Sequence, residues 1–229
     1  QIALERGKKF IVCIDEFQNV SNYEDALGFQ RKLRAHWQRH NQVGYCMFGS
    51  KRHMLLDIFS NYEMPFYKFG DILFLDKIGE QEWVAFITDR FEQTGKRIST
   101  TQASRIAQYV ACHPYYVQQL AQLVWLRTET VCKDTLIDAA FEALVGQLSL
   151  LFSNIIDTLT AKQISFLQAI AHGERNFSSR EVLSKYQLGT SANIKNLRKA
   201  MQDKDLIDVM PNSIQLQDPL LAYWLTHKY

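Results

Sequence analysis

The sequence predicts a parallel α/β unit, followed by an all-helical region and then by a winged helix-turn-helix. Three observations carry this. Two apolar runs, Phe10–Ile14 and Val43–Phe48, flank an amphipathic stretch. From Gln81 to about Leu151 the apolar spacing is helical throughout. The last stretch holds three helical patterns and then two short β-like runs. A chain of 229 residues, 47% apolar and 22% charged, is long enough to bury such cores.

Taken in order, Phe10-Ile11-Val12-Cys13-Ile14 is rich in β-branched residues and reads as a buried central parallel strand. Residues from Asp25 to about His40 place Leu27, Leu33 and Trp37 among charged positions, an amphipathic helix. Val43-Gly44-Tyr45-Cys46-Met47-Phe48 reads as a second buried strand closed by Gly49-Ser50, and Ile72-Leu73-Phe74-Leu75 after Gly70-Asp71 as a third. Strand, helix and strand joined by short connections make a parallel sheet. Trp83, Phe86, Ile87 and Phe91, and again Val117, Leu120, Ala121 and Val124, mark helices. Helices are then expected at Ala161–His172, Ser179 to about Tyr186, and Thr190 to about Asp205. Leu206–Val209 and Ile214–Leu216, parted by the turn signal Pro211-Asn212-Ser213, complete a wing. The expected domains are therefore 1–79, 80–152 and 153–229.

A net charge of +2 is too small to announce a polyanion-binding surface. The cysteines at 13, 46, 112 and 132 show no metal-ligand spacing, and Cys13 and Cys46 fall within the expected buried strands. They read as reduced core residues of a cytoplasmic protein. No uninterrupted apolar run approaches the roughly 20 residues that span a bilayer, so no membrane partner is expected.

The chemistry starts at Asp15-Glu16, where the first apolar strand ends. Parallel α/β folds bind ligands at that edge. Adjacent carboxylates there point in different directions, so one can hold Mg²⁺ and the other can polarise an attacking water. The plainer reading is that the two acids open a loop or cap a helix.

Phe10–Val20 resembles the Walker B segment of the archaeal-type prokaryotic ATPases, P-loop proteins of the AAA+-like signal-transduction (STAND) branch. Later landmarks follow in that family's order. The strand closed by Gly49-Ser50 resembles its sensor 1 strand. Cys112-His113-Pro114-Tyr115-Tyr116 resembles the start of a lid helix, and Asp218-Pro219-Leu220-Leu221-Ala222-Tyr223-Trp224-Leu225 the end of its winged helix. The resemblance covers nearly the whole chain. It implies a partial P-loop NTPase sheet, a helical lid and a winged helix, with ATP and Mg²⁺ as cofactors. Asp15 would hold the metal, Glu16 would act on water, and Ser50 would sense the γ-phosphate. His113 and Pro114 would face nucleotide, at a helix start whose free amides suit phosphate or the adenine edge.

Three departures matter. No GxxxxGK[ST] stands in the sequence, and Gly7-Lys8-Lys9 does not substitute for it. The expected cause is a segment missing before Gln1, which would leave the sheet incomplete and the Phe10–Ile14 edge exposed or covered by self-association. The family's arginine after a Pro-Leu-Tyr-Gly run is replaced by Pro65-Phe66-Tyr67-Lys68-Phe69, and Lys68 lacks arginine's planar fork. Cys112 stands where the lid motif usually has glycine.

Within Thr190–Asp205, Ile194, Leu197 and Met201 form one stripe, and Lys195, Arg198, Lys199 and Gln202 lie opposite. Asp203 and Asp205 temper that basic face, so an ordinary solvated surface is the plainer reading, with DNA or protein as candidate partners. Two functions follow: an ATP-driven switch whose winged helix acts on a partner, or a non-catalytic interaction or DNA-binding module of ATPase shape. Oligomerisation stays open.

Overall fold

The computed structural model describes residues 5–210 and 213–229. The expected turn residues Pro211 and Asn212 lie outside them. The chain divides into two compact units, residues 1–75 and 76–229.

In the first unit β1 (Phe10–Ile14) pairs in parallel with β2 (Val43–Met47), from Phe10 opposite Val43 to Ile14 opposite Met47. The crossover helix α1 (Ala26–Trp37) starts at Asp25, whose carboxylate accepts the Gly28 N–H at 2.9 Å. Helix α2 (Arg52–Ser60) follows β2. One face of the sheet is packed: Ile14 and Met47 meet Phe17, Ile58, Phe66, Leu33 and Trp37. Phe17 lies edge-on to Phe66 at 5.4 Å, an arrangement aromatic quadrupoles favour.

Two expectations are corrected here. Neither strand is buried on both sides, and Cys13 and Cys46 are exposed. Ile72–Leu75 forms no strand, and Leu73 and Leu75 are 83% and 88% exposed. An apolar run becomes a strand only when a neighbour takes up its amides, and among the described residues this sheet consists of β1 and β2 alone.

The second unit comprises α3 (Glu80–Glu92), α4 (Thr100–Tyr109), α5 (Pro114–Arg127), α6 (Asp134–Asp157), α7 (Ala161–Ala171), α8 (Arg180–Lys185), α9 (Ser191–Asp203), β3 (Ile207–Met210), β4 (Ser213–Leu216) and α10 (Pro219–His227). Reciprocal capping boxes, Ser99 with Gln102 and Thr160 with Gln163, fix the starts of α4 and α7. Strands β3 and β4 pair antiparallel as the wing.

One core runs without a break from Trp83 of the helical region to Leu225 of α10. Phe152 of α6, fully buried, packs on Trp224 of α10 at 5.9 Å, and burying such a ring contributes about 1.5–3 kcal/mol. Helix α6 runs unbroken through residues 152 and 153. Although the sequence shows no uninterrupted apolar run of that length, the 24-residue α6, whose most apolar 18-residue stretch has a mean hydropathy of 1.5, is long and apolar enough to cross a membrane. In this fold one face of it joins the core, while Leu150 and Leu151 stay exposed. Leu144, Val145 and Phe152 are buried, and Asp138 and Glu142 pair with Arg105 and Lys228.

Candidate functional site

The first cluster forms where β1 and β2 end side by side. The Phe48 N–H donates to Ile14 O, and the Phe17 N–H to Phe48 O, both at 3.0 Å, so the ladder closes just around the acidic pair. The chain then turns sharply through Glu16, which lies in the left-handed region at φ 48°. A non-glycine residue there costs about 1–2 kcal/mol, which its surroundings must offset.

Those surroundings are specific. The Glu16 N–H donates to the Asp15 carboxylate at 2.8 Å. The Ser50 hydroxyl lies 3.2 Å from each Glu16 carboxylate oxygen, and the Gln18 amide nitrogen donates to the same carboxylate. Asp15 and Ser50 are exposed, Glu16 half-buried, and Gln18 fully buried. Asp15, Glu16 and Ser50, the residues expected from the sequence, are brought together by the fold; Gln18 was not among those expected. A glutamine two places after an acidic pair is ordinary in loops; only its complete burial reveals a role.

Gly49 belongs to the same cluster. A Cβ at this position would stand 1.9 Å from the Gln18 amide oxygen, so the side chain of Gln18 occupies the space that any larger residue would need. Glycine is therefore fixed here by close approach rather than by backbone conformation.

The donor set suits a hard cation held through its waters. Asp15 has a second oxygen without a hydrogen-bond partner among the described residues. No group of three or more His, Cys, Asp or Glu side chains gathers there among those residues, so the chain offers no closed cage.

His113 and Pro114, in the second unit, open α5. Pro114 occupies the first helical turn, where its missing N–H is no loss, and His113 is the N-cap without a side-chain capping bond. Cys112 and Ala111 before it both have positive φ, 54° and 50°. The lid motif's usual glycine thus corresponds to a left-handed position that Cys112 fills with strain. The His113 ring lies 4.9 Å from Tyr116, and its Nδ1 is buried without a partner among the described residues. Burial pulls the imidazole below its ordinary pKa, against the opposing pull of the Asp218 carboxylate.

Tyr116 and Asp218 make a contact that no local sequence pattern signals. The Tyr116 hydroxyl donates to Asp218 at 2.5 Å, while the other Asp218 oxygen caps α10 by accepting the Leu220 and Leu221 N–H groups. Burial and this carboxylate push the phenol's pKa well up. The Asp-Pro pair is readable as a helix start. Its partner, 102 residues away, is not.

On α9, Ile194, Leu197 and Met201 are buried, and Lys195, Arg198 and Lys199 are exposed. Arg198 also borders a cleft of about 790 Å³ with Lys77, Arg175 and the wing residues Met210 and Ile214.

Comparison with known proteins gives the class in two steps. Residues 150–227 match the family described as "Probable winged helix domain". Over 98% of its length the chain is similar to the Walker-type ATPase of Pyrococcus abyssi, at 17% identity and a TM-score of 0.73, and it spans 65% of that chain. Two mutant forms of Thermotoga maritima RuvB align over 96% of this chain and 70% of theirs, at 14% identity, with TM-scores of 0.45 and 0.43. No curated protein matches. The chain therefore has a P-loop ATPase fold with an all-helical region and a C-terminal winged helix.

Proposed function

We propose that this chain is the part of an ATP-dependent switch that holds the metal and acts on water, the Walker B part of a STAND-type ATPase. One observation carries the reading: at the end of a parallel strand, Glu16 is gripped by the hydroxyl of Ser50 from the neighbouring strand end, beside an Asp15 with one oxygen unpartnered among the described residues. In this reading Asp15 holds Mg²⁺ through its hydration shell, and Mg²⁺-ATP when bound supplies the γ-phosphoryl group and the charge that polarises it. Glu16 accepts the proton of the attacking water. Ser50, whose hydroxyl has one proton to donate, would be the group that meets a phosphate oxygen. On the same reading His113 and Pro114 would face nucleotide, as the family resemblance implies, and the winged helix would carry the change to a protein partner. The four free cysteines agree with a cytoplasmic setting.

The 229 residues contain no GxxxxGK[ST]. A switch of this kind also needs a cradle for the β- and γ-phosphates, which these residues do not supply. The test is nucleotide titration and steady-state phosphate release, run on this chain and on the longest natural form of the protein. This chain alone is expected to show no measurable hydrolysis. In a form bearing the loop, Glu16→Gln keeps Mg²⁺-ATP binding and loses turnover, whereas Asp15→Asn weakens the metal-dependent part of binding. Hydrolysis by Glu16→Gln at the parental rate would sink the assignment.

A second reading, a non-catalytic DNA-binding module, draws on the exposed Lys195, Arg198 and Lys199 of α9. It requires salt-sensitive binding to duplex DNA that weakens, with a shallower salt slope, when all three become alanine. Absence of binding in the parent at low salt leaves the protein-partner role.

A further inference from the structure

The unpacked face of the β1–β2 sheet carries two thiols side by side. Ile11 is the register partner of Gly44, and Cys13 of Cys46. Register partners in parallel strands project from the same face, and alternate residues project from the other. The alternate set includes Ile14 and Met47, which join the aromatic core, and Tyr45, which stacks on Trp37 at 4.2 Å. That leaves Ile11, Cys13, Gly44 and Cys46 together on the side that no described residue covers, where Ile11 is 77% exposed, Gly44 adds no side chain, and both cysteines are exposed free thiols.

Adjacent strands lie about 4.8 Å apart, inside the Cα separation of about 4.4–6.8 Å that a disulfide bridges. Cys112 and Cys132 differ. They are half-buried and buried, and burial raises both thiols' pKa values, which lowers the share of reactive thiolate.

We propose that Cys13 and Cys46 are a redox-sensitive modification site, closing reversibly to a disulfide by exchange with a low-molecular-weight disulfide such as glutathione disulfide. One cysteine loses its proton to water, and its thiolate attacks a glutathione sulfur. The glutathione S–S bond breaks, a mixed disulfide forms and one glutathione leaves. The second cysteine thiolate then attacks the protein-side sulfur, forming the Cys13–Cys46 bond and expelling the second glutathione. Two protein sulfurs are oxidised and two glutathione sulfurs reduced, and the released protons are taken up by the departing thiolates. The second step is intramolecular between groups already side by side, so it outruns a second mixed disulfide. The bond ties β1 to β2 immediately before Ile14 and Met47, beyond which lie Asp15-Glu16 and Gly49-Ser50. Oxidation therefore fixes the two strand ends that carry the candidate site.

The experiment treats the 229-residue chain with excess glutathione disulfide at mildly alkaline pH, quenches with iodoacetamide, and reads intact mass and linked peptides. The expected product has lost two hydrogens and keeps two of its four thiols. It yields one peptide pair joining Cys13 to Cys46, and dithiothreitol restores the parent. Cys13→Ser and Cys46→Ser should each stop at a single glutathione adduct on the remaining cysteine. Separate adducts on both cysteines without a linkage, a bond between two copies, a bond involving Cys112 or Cys132, or no reaction would each overturn the proposal.

Discussion

Replacing Gly49 by alanine tests how firmly Gln18 holds Glu16. The added Cβ would meet the Gln18 amide at 1.9 Å from its oxygen, 2.9 Å from its carbon and 3.3 Å from its nitrogen. An exposed side-chain tip would swing aside at little cost. Gln18 cannot, because it is fully buried and its amide is bonded to the Glu16 carboxylate. Either the amide leaves, losing a hydrogen bond to a charged group worth about 1.5–3 kcal/mol, or the strand end shifts. Where Gln18 is alanine the clash is gone, and Gly49→Ala should be neutral or stabilising by about 0.4–1 kcal/mol through the unfolded chain. The unfolded-chain effect cancels in a double-mutant cycle, which should therefore give a coupling of about 1.5–3 kcal/mol. The chain has two units and need not unfold in one step. The assay is accordingly urea unfolding of 5-fluorotryptophan-labelled protein, following the ¹⁹F signal of Trp37 in the first unit. Additive effects, or a Gly49→Ala change within about 0.5 kcal/mol of the parent, would refute the idea that Gln18 is locked in place.

Tyr116→Phe removes the donor to Asp218 and should destabilise the second unit by about 1.5–3 kcal/mol, measured by urea unfolding with its own tryptophans as probes. Ala111→Gly relieves a left-handed residue exposed at φ 50° and should stabilise by about 0.5–1 kcal/mol in the same assay, net of the added chain entropy. His113, whose folded pKa lies below its unfolded value near 6.5, adds stability that is present above that value. The unfolded state then binds more protons as pH falls, so thermal stability should begin to drop below about pH 6.5, and His113→Gln should flatten that part of the profile.

The helical half was the most legible part of the sequence. Helix α9 announces itself through Ile194, Leu197 and Met201, whose spacing is the physical period of a helix and whose burial follows directly. The strands were legible in place but not in environment. Phe10–Ile14 reads as covered on both faces because its composition is that of a central strand, yet coverage depends on what lies against it, which no local pattern states. Ile72–Leu75 shows the same limit more sharply, since it has strand composition and no strand partner among the described residues. At the candidate site, the acidic pair and the closing serine are visible as residue types at strand ends. Gln18 and Gly49 are not, because their roles arise from mutual exclusion across β1 and β2.

The bond between Tyr116 and Asp218 changes how two separate sequence landmarks are understood. Read along the chain, the His-Pro-Tyr-Tyr stretch belongs to the helical region and the Asp-Pro stretch to the winged helix. In the fold they form one joint. Asp218 divides its oxygens between the Tyr116 hydroxyl and the first amides of α10, and Trp224 and Tyr223 on that helix pack on Phe152 and Phe141 of α6. A helix fixed at its start by a charged hydrogen bond and along its length by buried rings does not pivot independently of its support, because tightly packed interiors have discrete arrangements and do not deform smoothly. Any displacement of α5 should therefore move α10 with it. The switch reading consequently needs no flexible linker between the lid and the winged helix; the hinge it requires has to lie elsewhere in the chain.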